Sequence, residues 1–178
     1  MINFTISLEE FNGVKKGLVY DLPVDRITAI YDLNPIDLGT NRIPLCQVIC
    51  NYETGRKMYT MKENIRNIKS KITNAFREWC QNNPTDGLST EDLPAFDLSV
   101  DTMQHARVLL PLNRIRRFET YKRGLAIAII DGEKFYLDES QSDVNTHRIW
   151  EEQQCMSIAR QFFNPDDFTL DGYKNPPC

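Results

Sequence analysis

One short pattern occurs twice in this 178-residue chain, and it constrains the fold more than any other feature of the sequence. Its first occurrence opens with residues 22–27 (LPVDRI) and its second with residues 110–115 (LPLNRI). Each opening is followed by an apolar hairpin with a glycine turn, at Gly55 and at Gly132. The openings lie 88 residues apart and the glycines 77, so one connection is 11 residues shorter. Duplication followed by a loop change leaves such a pattern, and we expect two related β units.

Each β unit is followed by a segment with helical character. In the first repeat, apolar residues recur every three or four positions from Ile65 to Trp79, and residues 82–84 (NNP) stop the helix. In the second repeat, residues 142–163 carry a less regular apolar stripe in the same relative place. The predicted fold class is therefore α+β, with two related small antiparallel β units, each followed by an amphipathic helix.

The domain organisation follows from the repeat. We expect a first β-sheet and helix unit over residues 1–83, an acidic connector over 84–104, and a second unit with an extended C-terminal tail over 105–178. The connector is acidic, holds two prolines and shows little periodicity, which favours a segment on the surface. Residues 34–42, with Pro35 and Gly39, are expected to form an extra loop of the first unit.

Charge and hydropathy limit the classes of partner. With 21 Lys and Arg against 25 Asp and Glu, the net charge is −4, which argues against a surface that attracts nucleic acid everywhere. The N-terminus lacks a signal-peptide pattern and no apolar run approaches membrane-spanning length, so we expect a cytoplasmic protein with no membrane partner. The five cysteines are odd in number and share no paired spacing, which favours reduced thiols.

The sequence holds no arrangement typical of a catalytic or cofactor site. His105 and His147 are isolated, and the chain lacks a Gly-rich phosphate loop, paired cysteines and a helix with two histidines one turn apart. A segment from Asp167 loosely matches the start of a calcium loop, but Cys178 stands where that loop needs a glutamate. We therefore predict no enzyme, no cofactor, no metal site and no small-molecule substrate.

The densest charge in the chain is basic and lies in the second repeat. Aromatic residues Phe118 and Tyr121 are interleaved with its five members, which are Arg114, Arg116, Arg117, Lys122 and Arg123. In one interpretation these cations bind phosphates while the rings stack on bases. In the other they are solvent-side residues of a twisted edge strand, where charge prevents aggregation between sheets. The acidic balance of the whole chain favours the edge strand.

The order of signals in each repeat resembles the FlbD family of flagellar proteins and, more distantly, the β core of LytTR-type DNA-binding domains. The matching residues are Asp25 to Ile27, Gly55, Tyr59 and Glu63 in the first repeat, and Asn113 to Ile115, Gly132, Tyr136, Glu139 and Ser140 in the second. The LytTR resemblance implies regulatory DNA binding, although the chain lacks the basic segment that this family uses after its second hairpin.

A duplicated scaffold without catalytic residues favours a non-catalytic structural or protein-interaction subunit of a larger assembly. Duplicated β units offer strand edges and flat faces to protein partners or to further copies of the chain. The composition leans toward Ile and Asn, which is typical of AT-rich genomes and of many phage proteins, so a virion component made in the host cytoplasm is one form of this prediction. The alternative is a nucleic-acid-binding regulator that uses residues 114–123.

Overall fold

Strands account for most of the structure. The computed structural model describes residues 4–83, 96–122, 125–138 and 150–151, and these ranges form an eight-stranded antiparallel sheet, a two-stranded sheet and one long helix. The strands are β1 (Thr5–Glu9), β2 (Val19–Pro23), β3 (Ile27–Leu38), β4 (Asn41–Tyr52), β5 (Gly55–Met61), β6 (Phe96–Asp101), β7 (Ala106–Pro111), β8 (Arg117–Lys122), β9 (Leu125–Ile130) and β10 (Glu133–Asp138).

The predicted first helix is confirmed as α1 (Ile65–Asn82). Its buried side chains are Ile65, Ile68, Ile72 and Phe76, the apolar stripe that the periodicity indicated. The side chain of Asn64 accepts a hydrogen bond from the backbone N–H of Arg66 at 2.8 Å and so caps the first turn. The helix covers one face of the strands of residues 4–61.

The repeated sequence has the same backbone in both places. Val24–Arg26 and Leu112–Arg114 each form a 3₁₀ turn, which follows a proline and ends at an isoleucine, Ile27 or Ile115. Pro23 and Pro111 end β2 and β7, because proline has no N–H to donate to a ladder and its φ is fixed near the value that the turn needs.

Strand pairing also repeats between the first half (residues 4–83) and the second half (residues 96–138). The hairpin β1–β2 corresponds to β6–β7, and the meander β3–β4–β5 corresponds to β8–β9–β10. In each half backbone hydrogen bonds join the hairpin to the last meander strand. Phe11 donates to Thr60 at 2.9 Å and Lys62 to Glu9 at 2.8 Å in the first half, and Thr102 donates to Tyr136 at 2.8 Å in the second. Hence β3 is the counterpart of β8, and β7 is the counterpart of β2.

The two halves nevertheless share one sheet, in the order β5-β4-β3-β7-β6-β10-β9-β8. Its central step is the antiparallel pairing of β3 with β7, in which Ile30 lies opposite Leu109 and Tyr31 opposite Val108. Both strands are buried on both faces near this step. Such two-sided burial is typical of strands in the interior of a protein.

Two apolar cores lie on opposite faces of this central step. The first core contains α1 and the inward residues of the first half, and it also contains Phe96, Leu98 and Leu109 from the second half. The second core contains the inward residues of the second half, and it also contains Ala29, Tyr31 and Ile49 from the first half. Each core is therefore completed by side chains from the other half.

The predicted α+β class, with two separate sheet-and-helix units, is wrong. Strands of both halves join one sheet, and α1 is the only complete helix in the described ranges. Residues 96–101, assigned to the acidic connector, form β6, because Phe96 and Leu98 alternate with polar positions and are buried. Of the predicted second helix, residues 142–163, the structure describes only Trp150 and Glu151, which are helical.

The loop predicted over residues 34–42 is instead the far end of the long β3–β4 hairpin. The pairing skips from Leu33 opposite Leu45 to Ile36 opposite Ile43. Asn34 and Pro35 therefore lie opposite the single residue Pro44 and form a bulge. A bulge is a position at which a strand tolerates proline, since no ladder N–H is needed there.

We expect the two cores to unfold in a single cooperative transition, because each contains side chains of the other half. Trp79 packs against the first core and Trp150 against the second. In the variant Trp79→Phe, tryptophan fluorescence reports on the second core while far-ultraviolet circular dichroism reports on α1. The urea midpoints of the two signals should coincide.

In the same assay Leu109→Ala should lower the free energy of unfolding by about 2–5 kcal/mol, since it leaves a cavity in the first core. Leu18→Ala removes the same atoms from an exposed side chain and should stay within about 0.5 kcal/mol of the wild type. Two separate transitions, or equal effects of the two variants, would contradict the shared cores.

Candidate interaction surfaces

The structure gives different environments to the basic residues predicted to bind nucleic acid. Arg114 ends the second 3₁₀ turn, and its guanidinium donates to the backbone carbonyl of Ile27 and to Oδ2 of Asp131. Only 19% of this side chain is exposed. Arg114 is therefore a structural link between the halves and has little surface left for a phosphate.

The Asp131 carboxylate collects further donors from the first half. Its Oδ2 accepts from Asn51 Nδ2 at 3.2 Å and lies 3.4 Å from Thr28 Oγ1. Asp131 and Gly132 have φ angles of 51° and 80° and join β9 to β10. A two-residue hairpin turn of this kind needs positive φ at both positions, which Asp tolerates and Gly favours. The predicted Asp-Gly turn is confirmed, and it aims the carboxylate at the first half.

Of the other basic residues, Arg116 precedes β8 and Arg117 begins it. Among the described strands β8 ends the eight-stranded sheet, which is the edge position that the second interpretation predicted. Arg116 is exposed, and Arg117 is bound to Glu119 through two hydrogen bonds of 3.2 and 3.3 Å. Glu119 also lies 4.0 Å from Lys134 on β10. The Lys122 side chain and Arg123 lie outside the described part of the chain.

Asp101 is a buried carboxylate that accepts three hydrogen bonds. It is buried at the end of β6, where its Oδ2 accepts from the Tyr31 hydroxyl at 2.7 Å and its Oδ1 accepts from the backbone N–H groups of Met103 and Gln104. Burial, and then the hydrogen bond to Asp101, raise the pKa of the Tyr31 phenol well above its ordinary value. The pair orders the β6–β7 turn, and the carboxylate is buried away from solvent.

His105 lies near this turn in an open cleft of about 530 Å³, with Asp32, Asn64 and Arg107 among its lining residues. Its described walls hold no Ser, Thr, Cys or Lys that could act as a nucleophile, and Asp101 does not line it. The described walls of the cleft therefore hold no hydroxyl, thiol or amine nucleophile. His147 lies outside the described residues.

Metal binding finds no support in the ranges that the structure describes, where no three potential ligands come together. Cys46 and Cys50 are free and buried in the first core. Burial raises the pKa of Cys46 to about 12 and that of Cys50 to about 11, so both thiols are protonated at neutral pH. The segment from Asp167 to Cys178 is not among the described residues.

The most exposed apolar surface is on the loop between β1 and β2, which we call the β1–β2 loop (residues 10–18). The side chains of Val14, Leu18 and the adjoining Val19 are exposed by 85%, 69% and 60%. Lys15 and Lys16 lie between them and are also exposed. The run VKKGLV (residues 14–19) places aliphatic residues where a loop usually carries polar ones.

Backbone contacts hold the β1–β2 loop in one shape. Glu10 donates its N–H to the Leu18 carbonyl at 2.8 Å, and the Glu9 carboxylate accepts from the N–H of Gly17 at 3.1 Å. A Cβ at Gly17 would lie 1.8 Å from the Glu10 carbonyl oxygen, so only glycine fits this position. The loop therefore presents Val14 and Leu18 on a fixed frame.

Comparison with family models, with characterised proteins and with solved structures finds no significant match for this chain. The resemblance to FlbD and LytTR modules therefore stays a prediction based on the short motifs. No helix in the described ranges is long and apolar enough to cross a membrane.

Arg114→Lys should lower the free energy of unfolding by about 1–3 kcal/mol, because an ammonium group lacks the planar fork that serves both Ile27 and Asp131. Arg116→Lys, on an exposed neighbour, is the matched control and should stay within about 0.5 kcal/mol of the wild type. Urea unfolding measures both. Equal effects would show that Arg114 is not a link between the halves.

Tyr31→Phe should destabilise the fold by about 1–3 kcal/mol at neutral pH, because the buried Asp101 carboxylate loses a donor. Folding raises the pKa of Tyr31, so its contribution is fully present below the ordinary tyrosine pKa of about 10 and is lost as the pH rises above it. The difference between wild type and variant should therefore shrink in alkaline solution. Met103→Ala, in the same turn, should show no such pH dependence, and a constant difference for Tyr31→Phe would refute the assignment.

Proposed function

We propose that this chain is a non-catalytic structural or protein-interaction subunit of a larger assembly, and that it associates through the β1–β2 loop. The observation that carries the proposal is the exposure of Val14, Leu18 and Val19 within six residues of an ordered loop. Covering an aliphatic side chain of this size contributes about 1.5–3 kcal/mol. A loop already fixed in shape loses little entropy when it is covered.

The chemistry of the loop favours an apolar partner surface with acidic residues around it. Lys15 and Lys16 flank the exposed aliphatic side chains and would lie at the rim of an interface, where charge guides orientation. The chain has a net charge of −4, so another copy of it is one such partner. The same proposal places the chain in the cytoplasm and, for a phage-encoded chain, also in the virion.

The geometry of the described residues supports an interaction role over a catalytic one. Asp101 is buried and hydrogen-bonded, and the buried thiols are protonated. The described walls of the cleft beside His105 hold no hydroxyl, thiol or amine nucleophile. The regulator alternative depends on residues 114–123, of which Arg114 serves the fold and Arg117 is bound to Glu119.

The proposal predicts association that depends on the β1–β2 loop. The wild-type chain should associate with rising concentration, as measured by sedimentation velocity, and Val14→Ser/Leu18→Ser should weaken this at least about tenfold. Association through apolar surface should persist at high salt. Met58→Ser/Met103→Ser removes two exposed apolar side chains elsewhere and is the matched control.

The regulator alternative predicts a different result in the same buffers. Fluorescence anisotropy with labelled duplex DNA would show binding that falls steeply with salt and is lost in Arg116→Glu/Arg117→Glu. Such binding, together with a chain that stays monomeric at every concentration, would replace the interaction role with the regulator.

A further inference from the structure

The two halves are joined by two apolar faces. Ala29 and Tyr31 on β3 project into the second core, and Leu98 and Leu109 on β6 and β7 project into the first. The strand correspondence assigns each of these residues a counterpart at the free end of the other half. The β3–β7 junction can therefore be compared, residue by residue, with the equivalent β8 and β2 strands, which do not pair with each other.

On the β8 side, polar residues replace the apolar ones. Ala29 and Tyr31 are 0% and 9% exposed, and their counterparts 88 residues later are Arg117 and Glu119. The side chains of Arg117 and Glu119 are 62% and 38% exposed and bind each other. Lys134 approaches Glu119 from β10, so this face ends in a charged network.

The same exchange occurs on the β1–β2 hairpin. Phe96, Leu98 and Leu109 are buried, whereas their counterparts Thr5, Ser7 and Asp21 are exposed. The counterparts follow from register, since Phe96 pairs with Pro111 as Thr5 pairs with Pro23. The Ser7 hydroxyl donates to the Asp21 carboxylate, which satisfies both groups on a surface that faces solvent.

Both strands at these faces also have an open edge within the described ranges. β8 is the last strand of its sheet and β2 pairs only with β1. Their counterparts β3 and β7 pair with each other at the equivalent edges. By this correspondence, the β8 edge of one copy is equivalent to the edge of β3 that pairs with β7, and the β2 edge of a second copy is equivalent to that edge of β7.

We propose that the β8 edge and the β1–β2 face are the two complementary sides of a latent junction between copies of this chain. Arg117, Glu119, Thr5, Ser7 and Asp21 keep it from closing. Closing it as β3–β7 closes would remove the charged groups of Arg117, Glu119 and Asp21 from water, and this desolvation is unfavourable. The two sides differ, so an unblocked chain would grow head to tail without a closed end. This proposal does not depend on the β1–β2 loop.

The test copies the internal junction onto each side separately. One variant, Arg117→Ala/Glu119→Tyr, converts the β8 side, and a second, Thr5→Phe/Ser7→Leu/Asp21→Leu, converts the β1–β2 face. Both also carry Val14→Ser/Leu18→Ser, so that association through the loop is removed. Sedimentation velocity of an equimolar mixture should show a 1:1 complex, with association at least about tenfold stronger than that of either variant alone.

The matched control is Arg56→Ala/Glu53→Tyr, which makes the same chemical changes on the exposed β4–β5 hairpin and should not bind the second variant. If the multiple variants do not fold, as judged by circular dichroism, Arg117→Ala and Asp21→Leu are mixed instead under the same criteria. Absence of a complex between folded variants would overturn the proposal. The proposal would also be overturned if either variant alone associated as strongly as the mixture, or if the control bound the second variant. Added apolar surface alone would then explain the association.

Discussion

The pairing of β3 with β7 is the constraint on which the rest of the structure depends. It brings Ile30 opposite Leu109 and turns alternate residues of both strands into two different cores. A strand that serves two cores must be apolar on both faces, and residues 27–31 and 108–111 are buried throughout. Because each core takes side chains from both halves, the halves form one packing unit although their strand pairing repeats.

Polar contacts fix the halves at the rim of this apolar junction. Arg114 and Asp131 come from the second half, but they bind Ile27, Thr28 and Asn51 of the first. In the first half the corresponding arginine, Arg26, lies 3.8 Å from Glu53 in the β4–β5 turn, and this glutamate is largely exposed. The same sequence motif therefore makes an inter-half link in one place and a surface ion pair in the other.

Local features of the fold could be predicted from the sequence, whereas the assembly of the sheet could not. The stripe from Ile65 to Trp79, the Asp131–Gly132 turn and the shared motif before Ile27 and Ile115 each depend on neighbours in sequence. The merging of both halves depends on the register between β3 and β7, which no short segment specifies. The acidic content of residues 96–101 hid the alternation of Phe96 and Leu98. For the interaction surfaces, the sequence located the basic edge strand, but it could not show that Arg114 is engaged or that Val14 and Leu18 remain uncovered.

The exchange of side chains between the cores has a consequence during synthesis. The first half leaves the ribosome complete in its own strands and α1, yet its core still lacks Phe96, Leu98 and Leu109. Until β6 and β7 emerge, that core stays exposed to solvent. The opposite face, with Ala29, Tyr31 and Ile49, is also exposed because the residues that cover it belong to the second half. Partly folded chains with open apolar faces and strand edges are prone to aggregate. Because the first half is synthesised before the second, the nascent chain remains prone to aggregation until β7 has emerged and paired with β3.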